Sequence, residues 1–483
     1  MGGPAPTAHA RASPHGPIMM RRLSPLAFLL PLVPGPAAAL PQGGPGKDCS
    51  QTSVGTVPLN DLGPGLYQGF EGGLYAGGVN MRPPAHDAAG LAQAAQVVPR
   101  DAAGQPDPVN GRIGFLSVGM SNTSQNFMGL RSLAENDPER NPLVVFVNGA
   151  QGGFSAEKTT NPDSNYWDNM LASVQAEGLT REQVQVVFFL QENQQSVGVF
   201  PEKSQNLADQ MAQIMRNVRD EYPNCRLAYC MSRIYGGYGT KPHATEPNAY
   251  ENAFAVKWLI QAQVDGEPGL NYDPTAGPVE APWLAWGAYA WADGLIPRSD
   301  GLFYECDDMS GDGIHLTMSA ALKTGALWSS FLKSDATARG WYLANPPALC
   351  GPAAQVEPYG AGASGPNGAS QIAASQLPIV PGLEPVRILG FGAPPGAAYS
   401  FALGTTPLAV GQTPLFGGWL LVAGPTVHSG VTDANGQAVL DLGPVPASPS
   451  ICGAEFFLQF GAADPDTPGG FDLTYGLRLR AGH

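Results

Sequence analysis

An α/β fold with a mostly parallel sheet, followed by a small all-β sandwich domain, is the class the sequence predicts. Three observations predict it. Nearly continuous apolar runs at 113–118, 143–147 and 184–190 have the composition of strands covered on both faces. Helical patterns lie between and after these runs, and strands alternating with helices imply parallel pairing with right-handed crossovers. After Tyr342 the runs become short and are separated by glycine turns, as in antiparallel sandwiches.

The chain has 483 residues, too many for one ordinary core, so two domains are expected. Residues 1–39 read as a signal peptide. Met19-Met20-Arg21-Arg22 is a basic start, 23–33 an apolar core, and Ala37-Ala38-Ala39 a small-residue cleavage site. Residues 1–18 are polar, which points to translation starting at Met19 or Met20. The apolar run is too short, and too interrupted by Pro25, Pro31 and Pro34, to span a membrane. The expected location is therefore outside the cytoplasm: secreted, periplasmic or at the cell surface. Disulfides are permitted there.

Residues 40–110 are expected to form a linker and N-terminal extension, Gly/Pro-rich up to about 65. The α/β domain is expected over 111–342. A fourth strand is read at 226–231. Helices are expected over 204–221, with Leu207, Met211, Ile214 and Val218 on one face and Ser204 as N-cap, and over 246–264 and 317–332. A Pro/Gly-rich linker is expected over 343–376. The β domain then occupies 377–483, with strand-like runs at 386–390, 399–403, 418–422, 438–442, 455–460 and 471–479. Asn435-Gly436 lies between two of them and signals a hairpin turn, because both residues tolerate positive φ.

Hydrophobic residues make up 43%, enough to build real cores. The net charge of −15 repels phosphate backbones, so nucleic acid is not an expected partner. The six cysteines make no Cys-x-x-Cys pair, so a zinc ribbon is not expected. Cys350 and Cys452 flank the C-terminal region and are the best candidate pair, against the alternative of buried thiols.

Four stretches carry chemistry. Gly119-Met120-Ser121-Asn122-Thr123 follows the 113–118 strand, so Ser121 would stand at the open edge of the sheet, where ligands bind. Serine needs a base and a group that orients the base. Asp312-Gly313-Ile314-His315, just before the 317 helix, supplies both: His315 as base and Asp312 as its orienting carboxylate. His243 is the rival base. Asn148-Gly149-Ala150-Gln151-Gly152-Gly153 follows a strand and would expose backbone N–H groups to an oxyanion. Leu190-Gln191-Glu192-Asn193-Gln194 follows another, and the Asn193 amide would add a donor unless it only caps a helix. Glu305, Asp307 and Asp308 do not fit an EF-hand spacing, so no metal is assigned.

In this order the four stretches resemble the GDSL-like, or SGNH, hydrolases over 111–332. Gly119-Met120-Ser121 stands where that family commonly has Gly-Asp-Ser. Gly153, with Gly152 as the alternative, matches its oxyanion glycine. Asn193 matches the asparagine of its third block, although Gln191 replaces a glycine. Asp312 and His315 match its Asp-x-x-His block. Gly119 to Asn122 and Arg298 to Leu302 look like the sialate O-acetylesterase-like or carbohydrate-esterase-like branch. The resemblance implies a three-layer α/β/α sandwich of flavodoxin-like SGNH type. It implies ester hydrolysis with no metal or cofactor, Ser121, Asp312 and His315 being catalytic. Ser121, Gly153 and Asn193 would provide oxyanion donors, and Asn122 and Gln194 substrate contacts. The implied substrate is an acetylated carbohydrate. Trp283, Trp286, Tyr289 and Trp291 are read as core, with stacking on sugar rings the lesser alternative. The C-terminal region is similar to small β-sandwich domains appended to secreted bacterial proteins and would touch glycan or cell envelope. The alternative reading of the whole is an inactive glycan- or surface-binding protein on the same scaffold.

Overall fold

A computed structural model describes residues 1–3, 46–194, 198–241, 244–346, 354–360, 370–375, 385–415, 418–445, 451–467 and 469–482. The leader motifs, the rival base His243 and Cys350 lie outside the described residues. In chain order the first region contains α1 (Leu59–Leu62), β1 (Leu66–Tyr67), β2 (Phe70–Glu71), α2 (Pro84–Ala94), β3 (Ile113–Gly119), α3 (Ser121–Ala134), β4 (Val144–Asn148), α4 (Ala156–Thr159) and α5 (Asn165–Ala176). It continues with β5 (Val184–Leu190), α6 (Glu202–Glu221), β6 (Leu227–Cys230), α7 (Asn248–Val264), β7 (Trp283–Trp286), α8 (Met318–Ser334) and α9 (Ala336–Tyr342).

Five of these strands form one all-parallel sheet in the order β4-β3-β5-β6-β7. Every residue of β3, β5, β6 and β7 is buried, as continuous apolar strands require. The chain leaves β3 toward β4 and leaves β5 the other way, toward β6. The crevice at the carboxyl ends of β3 and β5 is thus the switch point of the sheet, the usual ligand site in such folds.

Helix α3 begins at Ser121 and α8 begins three residues after His315. Their close crossing brings those two ends together. A Cβ on Gly129 would lie 2.0 Å from the Ala321 carbonyl oxygen, and one on Gly325 would lie 2.6 Å from the Gly129 backbone. The two helix backbones touch because these positions have no side chain.

Helix α6 begins at Glu202, after Pro201, and not at Ser204. Ser204 lies inside it, where its hydroxyl donates to the Glu251 carbonyl at 3.1 Å. Helix α8 is capped by Thr317, which accepts from the Ala320 N–H. The four expected aromatics are core: Trp283 and Trp286 fill β7, and Trp283, Trp286, Tyr289 and Trp291 are all buried.

Residues 46–65 are not a free linker. Cys49, Leu59, Tyr75 and Val97 belong to the same apolar core as the sheet. Segment 48–59 hydrogen-bonds to the loops that follow β6 and β7, for example Asp48 N–H to the Tyr238 carbonyl and Leu295 N–H to the Thr52 carbonyl, both at 2.8 Å. Cys49 is bonded to Cys306, a pairing across 257 residues. Cys225 and Cys230 are buried free thiols, and Cys452 is disulfide-bonded.

The second region contains β8 (Gln355–Tyr359), β9 (Gln371–Ala374), β10 (Pro385–Phe391), β11 (Ala398–Gly404), β12 (Pro414–Leu415), β13 (Gly418–Trp419), β14 (Thr426–Val431), β15 (Ala438–Pro444), β16 (Glu455–Ala463) and β17 (Phe471–Arg480). They form antiparallel sheets ordered β15-β10-β9 and β14-β11-β16-β17-β8, with a small β12-β13 pair. Their buried residues, Phe401, Leu458 and Phe460 among them, make a core of their own. Two strands, β8 and β9, fall within the expected 343–376 linker. Both lie at sheet edges, where Pro358 of β8 breaks no central ladder. Gly436 does turn with φ +73°, but the strands it joins, β14 and β15, lie in different sheets, so the turn is not a hairpin. No helix among the described residues is long and apolar enough to cross a membrane.

Candidate active site

The turn from β3 into α3 is built around Gly119. Its φ is +150°, and a Cβ there would lie 1.9 Å from the Leu190 carbonyl oxygen and 2.2 Å from the Thr123 hydroxyl. Thr123 holds the turn from both sides: it accepts from the Met120 N–H at 3.1 Å and donates to the Leu190 carbonyl. The Tyr166 hydroxyl receives the Gly119 N–H at 2.7 Å. Ser121 is the first residue of α3, so its N–H has no intrahelical acceptor and faces outward at the positive end of the helix dipole.

Ser121 Oγ lies 2.7 Å from His315 Nε2. His315 Nδ1 lies 2.5 Å from Asp312 Oδ2. The other oxygen, Oδ1, accepts from the Ser310 hydroxyl at 2.9 Å and from the Ile314 and His315 N–H groups at 3.2 Å. Burial pushes the Asp312 carboxyl up, but the His315 ring and these donors outweigh it and hold the group at about 2. Asp312 is therefore ionised and can only accept. The Nδ1 proton belongs on the side of Asp312, which leaves Nε2 free to accept from Ser121.

The loop after β4 lies beside this pair. Gln151 N–H donates to the Gly119 carbonyl at 3.0 Å, which ties the loop to the turn that carries Ser121. Of the two candidate glycines, Gly152 is the one beside Ser121: a Cβ on it would lie 3.9 Å from the Ser121 Cβ, whereas one on Gly153 would meet nothing within 4 Å. Gly153 has φ +78°, and its carbonyl accepts from Lys158 Nζ at 2.6 Å. The Gly152 and Gly153 N–H groups have no acceptor among the described residues.

The stretch after β5 is arranged differently from expectation. Gln191, which stands in place of a glycine, points away into the protein. Its side chain is buried and donates to the Thr159 hydroxyl at 3.0 Å and the Phe154 carbonyl at 3.2 Å, so it props the 154–159 segment. The Asn193 amide donates to Gln210 Oε1 at 2.7 Å, and the Glu157 carboxylate lies 2.7 Å away in the other amide orientation. That amide is held on the α4–α6 side of the crevice. Asn122 is also buried and committed, donating to the Ile314 carbonyl at 2.8 Å, so it latches α3 to the histidine turn. Gln194 is exposed.

Several residues that support the site were not legible in the sequence. Tyr166 and Thr123 brace the Gly119 turn. Gln125 accepts the Leu316 N–H at 3.1 Å. Ser117, Asn148 and Ser124 form a half-buried relay beside the glycine loop, at 2.9 and 2.7 Å. Glu192, 2% exposed, accepts from the Asn193 N–H and from Asn252. Burial raises its carboxyl to about 7, against Arg233 and those donors. A polar residue at or just past the carboxyl end of an apolar strand is the sequence signal common to Asn148, Gln191 and Glu192. Among the described residues no cluster of three or more His, Cys, Asp or Glu is placed to hold a metal ion. No family model matches the chain, and no curated protein matches it significantly.

Proposed function

We propose that this chain is a serine hydrolase that cleaves carboxylic esters, with acetyl esters of carbohydrate as the substrate class. The observation that carries this reading is the unbroken line Ser121 Oγ, His315 Nε2, His315 Nδ1, Asp312 Oδ2, at 2.7 and 2.5 Å, at the switch point of a parallel sheet. His315 takes the Ser121 proton as the oxygen attacks the ester carbonyl, and Asp312 steadies the imidazolium that forms. The tetrahedral oxyanion is met by the Ser121 N–H at the α3 terminus and by the Gly152 and Gly153 N–H groups. One such donor is worth about 2.7–4 kcal/mol of barrier. His315 then returns its proton to the leaving alcohol, and water attacks the acyl-enzyme by the same route in reverse.

The SGNH-type three-layer α/β/α sandwich, the small β-sandwich as an accessory glycan- or envelope-binding module, and export from the cytoplasm belong to this proposal. Support for the fold assignment comes from the all-parallel sheet and the order of the four stretches. The second reading, an inactive binding protein, is favoured by one observation: the Asn193 amide, expected at the oxyanion, is engaged by Gln210. Hydrolysis of 4-nitrophenyl acetate by the purified protein, beside Ser121→Ala, separates the two. Loss of turnover in the variant supports the hydrolase; equal rates eliminate it.

A further inference from the structure

We infer that residues 46–49, an extended strap pinned by the Cys49–Cys306 disulfide, hold the Asp312–His315 turn in register, with Lys47 and Cys49 as positioning residues for Ser121. This rests on the hydrolase reading above. The turn is a closed loop: Met309 bridges Leu316, and Ser310 N–H donates to the His315 carbonyl at 2.7 Å. Its two legs are held from different sides. The leg with Ile314 and Leu316 is tied to α3 through Asn122 and Gln125, at 2.8 and 3.1 Å.

The leg running from Cys306 to Asp312 is held by the strap. Cys49 is bonded to Cys306 at its start. Lys47 Nζ donates to the Met309 carbonyl at 2.8 Å, three residues before Asp312. Gly46 packs on the tip, its Cβ position 3.6 Å from Asp312 Cα. The strap reaches the turn a second time through 238–240. Asp48 N–H donates to the Tyr238 carbonyl, Thr240 N–H donates to the Gly46 carbonyl, and Lys47 bridges Gly239. That same segment abuts the turn so closely that a Cβ on Gly313 would lie 2.2 Å from the Tyr238 carbonyl oxygen.

The Lys47 side chain is 11% exposed, and its nearest carboxylate is the exposed Asp307, 4.0 Å away. An ammonium so enclosed is costly unless it is hydrogen-bonded, so its bond to the Met309 carbonyl fixes the strap in one place. A catalytic constellation tolerates about 0.5 Å of looseness. Releasing the Cys306–Asp312 leg therefore degrades the Asp312–His315 contact while leaving the strand pairing of the parallel sheet intact.

The test uses the full chain with Lys47→Met, Lys47→Arg and the double variant Cys49→Ala/Cys306→Ala. For Lys47→Met and the double variant, kcat on 4-nitrophenyl acetate is expected to fall roughly 10- to 100-fold with KM unchanged, as for a misplacement distant from the bond being broken. Lys47→Arg, which keeps the donor, restores most of it. The second readout is the His315 Nδ1 proton resonance, which reports its bond to Asp312 whether or not the protein turns over esters. It should broaden or vanish in Lys47→Met and persist in Ser121→Ala. Wild-type protein with that resonance and no turnover would sink the hydrolase reading alone. Unchanged kcat and an unchanged resonance in Lys47→Met would overturn the positioning role, even if the double variant fails to fold.

Discussion

The parallel sheet and the antiparallel sheets put their buried polar groups to different uses. At the carboxyl ends of β3 and β5, Asn122, Gln191 and Glu192 are buried around the hydrogen-bonded line from Ser121 to Asp312. In the second region the buried polar groups stitch strands. Gln459 donates to the Trp419 and Thr474 carbonyls and accepts from the Leu421 N–H, and Asp472 accepts the Ser370 N–H. Its edge strand β14 is largely exposed. The first pattern braces the loops and the helix end around Ser121 and His315; the second ties strands and turns to one another. Burial of polar side chains is thus shared by both regions, and only in the first do the groups converge on the open edge of a sheet.

Substitutions in the two regions should separate along that line. The largest effect belongs to Ser121→Ala or His315→Ala, each expected to lower ester turnover by roughly 10⁴- to 10⁶-fold, and the double variant scarcely further, since the pair acts as a unit. Additive losses in steady-state kinetics would break the comparison at its core. Phe460→Ala, fully buried against Phe401 at 4.9 Å, should destabilise the second region by about 3–5 kcal/mol and leave turnover of a small ester unchanged. A parallel fall in kcat would mean that the antiparallel sheets contribute to the site. Gly119→Ala forces a Cβ against the Leu190 carbonyl and should cost about 3 kcal/mol by denaturant unfolding, with turnover falling as well. Normal stability and activity in that variant would show that the nucleophile turn can relax.

The smallest effect is a trend with pH. Glu192 is raised from its ordinary 4.5 to about 7 by burial, so the folded chain binds its proton more tightly than the unfolded chain. Its contribution is fully present below 4.5 and is lost as pH rises through about 7. Thermal melts should show wild type losing on the order of 2 kcal/mol relative to Glu192→Gln across that window. A gap that does not change with pH would place Glu192 in a wetter setting than its burial indicates.

Much of the first region was legible because continuous apolar strands are hard to read otherwise: 113–118, 143–147 and 184–190 all became parallel strands. The Asp312–His315 spacing was legible because three residues is the reach of one turn. Two kinds of feature were not. Helix α3 begins with Ser121-Asn122-Thr123-Ser124, a polar run of weak helix formers, and it packs against α8 through Gly129. The partners of Cys49, Lys47 and Asn122 lie 257, 262 and 192 residues away, and local pattern carries no record of such distances. In the second region, β14 was missed because an exposed edge strand has no apolar alternation to recognise.

The most direct test of the central claim is covalent labelling with a fluorophosphonate ester, read by mass spectrometry of the digested protein. One phosphonyl group is expected, on Ser121, with labelling severely slowed in His315→Ala. Label on another residue, or labelling of Ser121 at the same rate with and without the imidazole, would contradict it.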